Sequence, residues 1–443
     1  MQESRTRLIG RGIVIGLCMV ACVVALSLHT ERVAAGYTVA TTSDTGINSL
    51  RDAITQVNAG PGTGDTITIT ATGTITLTSA LPALAKPVGI TGPGAAVLMV
   101  RASAMRYGAT YGVFTVNTGV TASISNLTIT NGNSGDAGGG INNGGTLTVT
   151  TCTLSSNSAV NSGGGIYNNG GMLTVTNSTL SGNSASGGGG ILNAHGGMLT
   201  VTNSILSGNT AGDTGGGIFN DINGTVTVTN STFASNHATG GSGGGIENSF
   251  ATLTLTNSTL TGNSAGNNGG GIDGGGMLTV TNSTLSGNTA SGSLGGGGIF
   301  ISSGTLTVTN STLAGNTVTD FGGGINNLNG TVNLTNTIVA GNTAGGNSPD
   351  ITGTVASHGH NLIATPAAAA ASSQATSRAS ARPSARSPIT AARHRCRMAR
   401  TSKRRPLPAP ALPSMPVIRP PASPPSPPAP TARTSAVRLF PAP

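Results

Sequence analysis

The stretch Leu173-Thr174-Val175-Thr176-Asn177-Ser178-Thr179-Leu180-Ser181-Gly182-Asn183 alternates with a period of two. Leu173, Val175 and Asn177 share one side; Thr174, Thr176 and Ser178 share the other. That period is strand rather than helix, and β-branched Thr and Val favour a pleated backbone. The stretch is one copy of a repeat. Gly-Gly-Gly-Ile recurs with its Ile at Ile141, Ile166, Ile191, Ile218, Ile246, Ile272, Ile299 and Ile325, at spacings of 25, 25, 27, 28, 26, 27 and 26 residues. A small residue followed by Asn recurs at Asn157, Asn183, Asn209, Asn236, Asn263, Asn288, Asn316 and Asn342.

One unit is too thin to bury a core. Ile166, Leu173, Val175 and Leu180 are its inward apolar residues, and little else in it is apolar. Stacked units solve this, because each covers its neighbour. Gly-Gly-Gly and Thr-rich runs are poor helix material, and a propeller blade needs about 40 residues or more. The pattern therefore predicts an all-β, single-stranded parallel β-helix of about 26 residues per coil, with three short strands in each. Alternating stretches from Thr66 onward extend it over 65–363, or about 11 coils by the same period. Leu50, Ala53, Ile54 and Val57 fall at i, i+3, i+4 and i+7, which predicts a helical cap within 36–64 covering the open first coil.

The Asn columns read as structural. Asn tolerates the left-handed backbone of a strand corner, and stacked amides can hydrogen-bond from coil to coil. The Asn-Ser-Thr triplets starting at Asn177, Asn230, Asn257, Asn282 and Asn310 match a glycosylation sequon. The ladder is the preferred reading, because Asn203 and Asn336 hold the same corner without the sequon. On this reading Asn257 belongs to a buried ladder. The Gly runs lack the Lys and following helix of a phosphate-cradling loop.

Charge is unevenly placed. The 443 residues carry a formal net charge of +9, with 70 Gly and no Trp. Residues 364–443 hold 13 Lys and Arg and no acid, whereas 36–363 hold four basic residues against ten acidic ones, a net −6. From Tyr107 to Ile363 there is no Lys or Arg. A phosphate-binding surface needs basic side chains, so the folded body is not expected to bind nucleic acid.

Arg5, Arg7 and Arg11 precede the mostly apolar run Gly12 to Leu28, and Val33-Ala34-Ala35 follows with small residues. That is the layout of a secretory signal peptide over 1–35. It predicts export to the outer cell surface or the medium, with no membrane span once the signal is removed. Val20-Ala21-Cys22 loosely matches a lipid-attachment site, but the apolar residues after Cys22 speak against it. Cys18 and Cys22 lie in the signal, which leaves Cys152 and Cys396 and no disulfide framework.

Gly-Gly-Gly-Ile followed by x-Leu-x-Gly-Asn resembles the paired repeats of the polymorphic outer membrane protein family. Asn48-Ser49-Leu50-Arg51-Asp52-Ala53-Ile54 resembles the Cys-Ser-Leu-Arg-Glu-Ala segment that opens many exported bacterial β-helix proteins, with Asn48 in place of Cys and Asp52 in place of Glu. Gly359-His360-Asn361-Leu362-Ile363 resembles the segment that closes them. The resemblance covers about 36–363. It implies a right-handed parallel β-helix, surface-displayed or secreted, with adhesins among its members. Autotransporter members end in a membrane barrel, which nothing here resembles.

Catalytic candidates are few. Pectate-lyase-like chemistry wants clustered carboxylates for Ca²⁺ and a basic residue to take a proton, and the repeats after Arg106 have no Lys or Arg. Of the acids, Glu247 and Asp273 coincide in register, each one residue after the repeat Ile. Facing outward one strand spacing apart, they suit glycoside hydrolysis or cation binding; two solvated acids on a strand face is the preferred reading. His195 and His237 do not converge, and His358 and His360 sit in a terminal loop. Coil lengths vary by three residues between Ile141 and Ile325, which leaves no long insertion to wall a cleft. No cofactor and no metal are expected. The expected function is structural or adhesive, toward a polysaccharide or a host or neighbour-cell surface. The alternative is a polysaccharide-active lyase or glycoside hydrolase.

Residues 364–443 are Ala-, Pro-, Ser- and Arg-rich, without strand pattern or repeat. As a true tail they are expected to be disordered. A shifted reading frame explains them as well. Related β-helix proteins carry Ser-Pro-Ala-Ile-Asp-Ala-Gly-Asp after the closing segment, and a two-base shift over Pro410 to Arg419 permits that sequence. One base lost just after Ile363 suffices to produce the shift.

Overall fold

A computed structural model describes residues 34–103, 110–346 and 348–364. All of them belong to the first of two units, Met1–Arg382; the second is Pro383–Pro443. The signal over 1–35, apart from its last two residues, lies outside the described residues. So do Cys18, Cys22, Cys396 and the tail beyond residue 364.

The described chain is a right-handed parallel β-helix of about 12 turns. Each repeat holds four strands, not the three the pattern predicts. In one repeat they are Ile166–Asn169, Met172–Thr176, Thr179–Ser181 and Ser184–Ala185. Each pairs in parallel with its counterparts in the adjacent coils, forming sheets I to IV in that order. Among the described residues these sheets hold 10, 13, 12 and 9 strands. The fourth strand has two residues, too few to show an alternation. Gly36–Val39 already pairs with Asp65–Ile69, so sheet II starts inside the segment read as a cap.

Identical residues stack in register: Ile166 on Ile191, Leu173 on Leu199, Val175 on Val201 and Leu180 on Leu206. The repeat isoleucines Ile141 to Ile325 are all fully buried. Four buried aliphatic side chains contribute on the order of 6–12 kcal/mol per coil.

Buried polar ladders line the corners. Asn183 donates from its backbone N and from Nδ2 to Asn209 Oδ1, at 3.0 and 2.9 Å. Its Nδ2 also donates to the Leu154 carbonyl of the preceding coil. The pattern repeats through Asn342, where Asp350 Oδ1 accepts both bonds and ends the ladder. A second ladder runs Asn143, Asn168, Asn193, Asn220, Asn248 through Nδ2–Oδ1 bonds. A third is made of serine: Ser178 Oγ accepts from Cys152 N and donates to the Thr176 carbonyl. It closes with Asn361 Oδ1 accepting from Thr337 N, so the predicted closing segment supplies the last rung. Cys152 is the buried first rung, and burial pushes its thiol up to about 11.

Asn257 is not in a ladder. It is exposed, with φ 49°, and its neighbour Ser258 is the rung. Asn177, Asn203, Asn230, Asn282, Asn310 and Asn336 also take this left-handed corner conformation.

The Gly-Gly-Gly run has three separate causes. Gly243 has φ +69°. A Cβ on Gly244 would lie 2.4 Å from the Ser264 carbonyl oxygen of the next coil. One on Gly245 would lie 2.6 Å from the Gly271 carbonyl oxygen. The coils approach too closely here for any side chain.

The helix Leu50–Ala59 covers the first coil with Leu50, Ala53, Ile54 and Val57, as their spacing predicts. Ser49 caps it, accepting from Asp52 N. Arg51 ties it down by pairing with Asp44 at 2.7 Å and donating to the Ser79 and Ala80 carbonyls. No helix among the described residues is long and apolar enough to cross a membrane.

Candidate functional site

Two surfaces break the repeat, and they meet on the coils that carry Phe219, Glu247 and Asp273. The first is the outward column of sheet I: Tyr167, Leu192, Phe219, Glu247, Asp273, Phe300 and Asn326, paired neighbour to neighbour. Glu247 and Asp273 are register partners, as their spacing predicts. Asp273 is buried, and Glu247 is half-buried with its Oε2 covered. Asp273 is 7% exposed, Phe300 3% and Leu192 6%. The connection from sheet IV folds back over this face. Gly243 sits on the Glu247 backbone, and Asn326 Nδ2 donates to the Leu294 carbonyl of the covering segment.

Burial raises the Glu247 carboxyl well above the ordinary range, and the charges of Asp273 and Asp213 push it further. Burial pushes Asp273 up to about 7, against the lowering effect of a hydrogen bond with Ser242. The Ser242 hydroxyl also accepts from Asn268 N at 3.3 Å. Glu247 Oε2 and Asn268 Oδ1 are buried without a hydrogen-bond partner among the described residues. Phe219 and Phe300 flank the pair in the column.

The second surface is the corner between sheets I and II. Gly170, His195, Asn223 and Phe250 follow one another there, with φ of 68, 53, 62 and 50°. Gly, His and Asn are the usual occupants of that conformation; a phenylalanine is an outlier. Phe250 is also 64% exposed. The corner after it is shorter and is built from Gly275 and Gly276, which leaves an open groove of about 410 Å³ beside the ring. Asn223, Thr252 and Met277 line it. Met172, Met198 and Met277, all exposed, share the adjoining column of sheet II.

The histidines stay apart. His195 Nδ1 lies 2.7 Å from Asn169 Oδ1 on the corner, and His237 Nδ1 lies 2.6 Å from Ser264 Oγ in sheet IV. His358 contacts Asn333 through Nε2, and His360 takes φ 55° in the closing turn. Among the described residues no three His, Cys, Asp or Glu side chains converge as a metal site.

Ser242, Asn268 and Phe250 carry no motif. A signal for the covered face was present, because the column around the acids holds Leu192, Phe219 and Phe300. Apolar residues at one register in several coils mark a covered surface.

Residues 107–285 match the family model of the right handed beta helix region, which agrees with the sheet topology. The class is thus a right-handed parallel β-helix. No curated protein matches the chain in sequence. Among solved structures, the A-module of Azotobacter vinelandii mannuronan C-5 epimerase AlgE6 is similar at 13% identity and a TM-score of 0.39, over 73% of this chain and 99% of that one. The catalytic domain of a GH87 α-1,3-glucanase in complex with nigerose is similar at 12% identity and a TM-score of 0.41, over 73% of this chain and 69% of that one. An iota-carrageenase complexed to iota-carrageenan fragments is similar at 12% identity and 0.23, over 68% and 57%. These likenesses are of fold.

Proposed function

We propose that the protein is an exported β-helix, displayed at the cell surface or secreted, with a structural or adhesive role, and that the corner groove at Phe250 is its adhesive contact. The signal-like N-terminus and the resemblance of the repeats to polymorphic outer membrane proteins support the first part. The second rests on one observation: a bulky aromatic residue held exposed in a left-handed backbone. That conformation costs roughly 1–2 kcal/mol, and strain of this kind gathers at functional positions. The partner class is a neutral polysaccharide or a glycan of a host or neighbour-cell surface. An exposed ring and methionine thioethers offer a flat apolar contact for a sugar face. With no Lys or Arg from Tyr107 to Ile363, the repeats around the groove offer no Lys or Arg contact to an anionic polymer.

The test is a glycan and host-matrix binding array with a reducing-sugar release assay alongside. Phe250→Asn restores the residue type of the previous coil. It should weaken binding at least tenfold while leaving the melting temperature unchanged or higher. Full binding by Phe250→Asn would reject the groove as the contact. The second reading, a polysaccharide-active enzyme, is favoured by the paired carboxyls of Glu247 and Asp273, raised toward the range of a general acid. Sugar release that disappears in Glu247→Gln and Asp273→Asn would establish it over the adhesive one.

A further inference from the structure

The column of sheet I holds a feature that neither binding at the corner nor packing explains. Two carboxylates, Glu247 and Asp273, stack in register, Asp273 buried and Glu247 half-buried with its Oε2 covered. A third, Asp213, acts on Glu247 from the exposed rim. The sequence from Tyr107 to Ile363 offers them no Lys or Arg. Burying acids without a counter-charge is costly. Asn268 is 5% exposed and Glu247 Oε2 is fully buried, and both the Asn268 Oδ1 and this Oε2 lack a partner. Asn268 is tied to the pair, since its N–H donates to the Ser242 hydroxyl that bonds Asp273. Two acceptor oxygens gathered here are therefore unmet.

The geometry points to a hard divalent cation of the calcium class bound between these coils by Glu247, Asp273, Asn268 Oδ1 and Ser242 Oγ. Two bidentate carboxylates, one amide oxygen and one hydroxyl supply about six oxygens, the lower end of the calcium range. All-oxygen ligands without nitrogen or sulfur suit calcium or magnesium over zinc or copper. Magnesium demands a regular octahedron and keeps several waters, so a site built from protein oxygens selects calcium. Phe300, 3% exposed, keeps water from one side of the pair and strengthens the attraction. Bound there, the cation would join two coils as a clamp. A cation bound there would depart from the expectation that the chain takes no metal.

The test uses the full chain with CaCl₂ alone, MgCl₂ alone, or a chelator. Calcium should raise the melting temperature by several degrees over the chelator, and magnesium by less. Titration calorimetry should give one calcium per chain. Glu247→Gln with Asp273→Asn keeps the shape and removes the charge, so it should fold and lose the calcium response. Asn268→Ala leaves the charge intact and should weaken calcium at least tenfold. Asp136→Asn, an exposed acid elsewhere, should change nothing. Absence of a calcium effect on the wild-type chain, or an equal effect in the double variant, would overturn the site. Unchanged affinity in Asn268→Ala would remove Asn268 from it and reduce the response to general charge screening, which also overturns the clamp.

Discussion

Gly244→Ala should destabilise the protein by about 4 kcal/mol or more, enough to lose the native stack around Ile246 and Ile272. The added Cβ would meet the Ser264 carbonyl oxygen and carbon at 2.4 and 2.5 Å, and the Gly270 oxygen at 2.6 Å. All three are backbone atoms of the next coil. They cannot rotate away as a side chain would, and moving them breaks the ladder bonds that set the coil spacing. Gly182 is the control. Its φ is +61°, but nothing lies within 4 Å of its Cβ position. Gly182→Ala should therefore cost about 1–2 kcal/mol, the left-handed penalty alone. Urea unfolding followed by circular dichroism separates the two. Similar effects at both positions would mean that backbone conformation, not close approach, explains the Gly-Gly-Gly run.

Asn263→Ala should cost about 3–5 kcal/mol, from several buried groups left unmet at about 1–3 kcal/mol each. Asn263 Oδ1 accepts from the N and Nδ2 of Asn236, and its Nδ2 donates to Asn288 Oδ1 and the Phe233 carbonyl. The change strips bonds from both neighbouring coils at once. Asn257→Gly, six residues earlier, should fall within about 0.5 kcal/mol of wild type, because glycine takes a left-handed φ freely. Denaturation free energies of the two variants check the assignment. A large loss at Asn257, or a small one at Asn263, would reverse the roles of the two corners.

That pair of asparagines shows where sequence reading stops. Both are corner residues in a column of asparagines. At the first corner Asn257 itself takes the left-handed conformation, so its side chain faces water. At the second, Gly262 takes it, with φ +61°, and Asn263 is left to point inward. The preceding glycine is the legible clue, and the repeat alone does not weigh it. Strand period, coil length and the register of the Ile columns were all legible, because each is a one-dimensional pattern that stacking preserves. The register of Glu247 on Asp273 came from the same spacing. Their burial did not, because it depends on a connection folding back across sheet I. Phe250 was illegible for another reason. Its significance lies in a backbone angle and in a groove opened by the shorter corner of the following coil.

The central claim is that stability passes from coil to coil, with no closed domain. Deleting residues 167–191 removes one whole coil and joins Ile166 to Leu192, the register partner of the lost Tyr167. Deleting 167–178 removes about half a coil and joins Ile166 of the first strand to Thr179 of the third, so the coil can no longer close in register with its neighbours. Thermal unfolding of the two deletions, followed by circular dichroism, is the most direct measurement. Nearest-neighbour stacking predicts that the whole-coil deletion keeps a β spectrum and a cooperative melt close to wild type, while the half-coil deletion does not fold. Global unfolding of the whole-coil deletion, or equal tolerance of both, would contradict it.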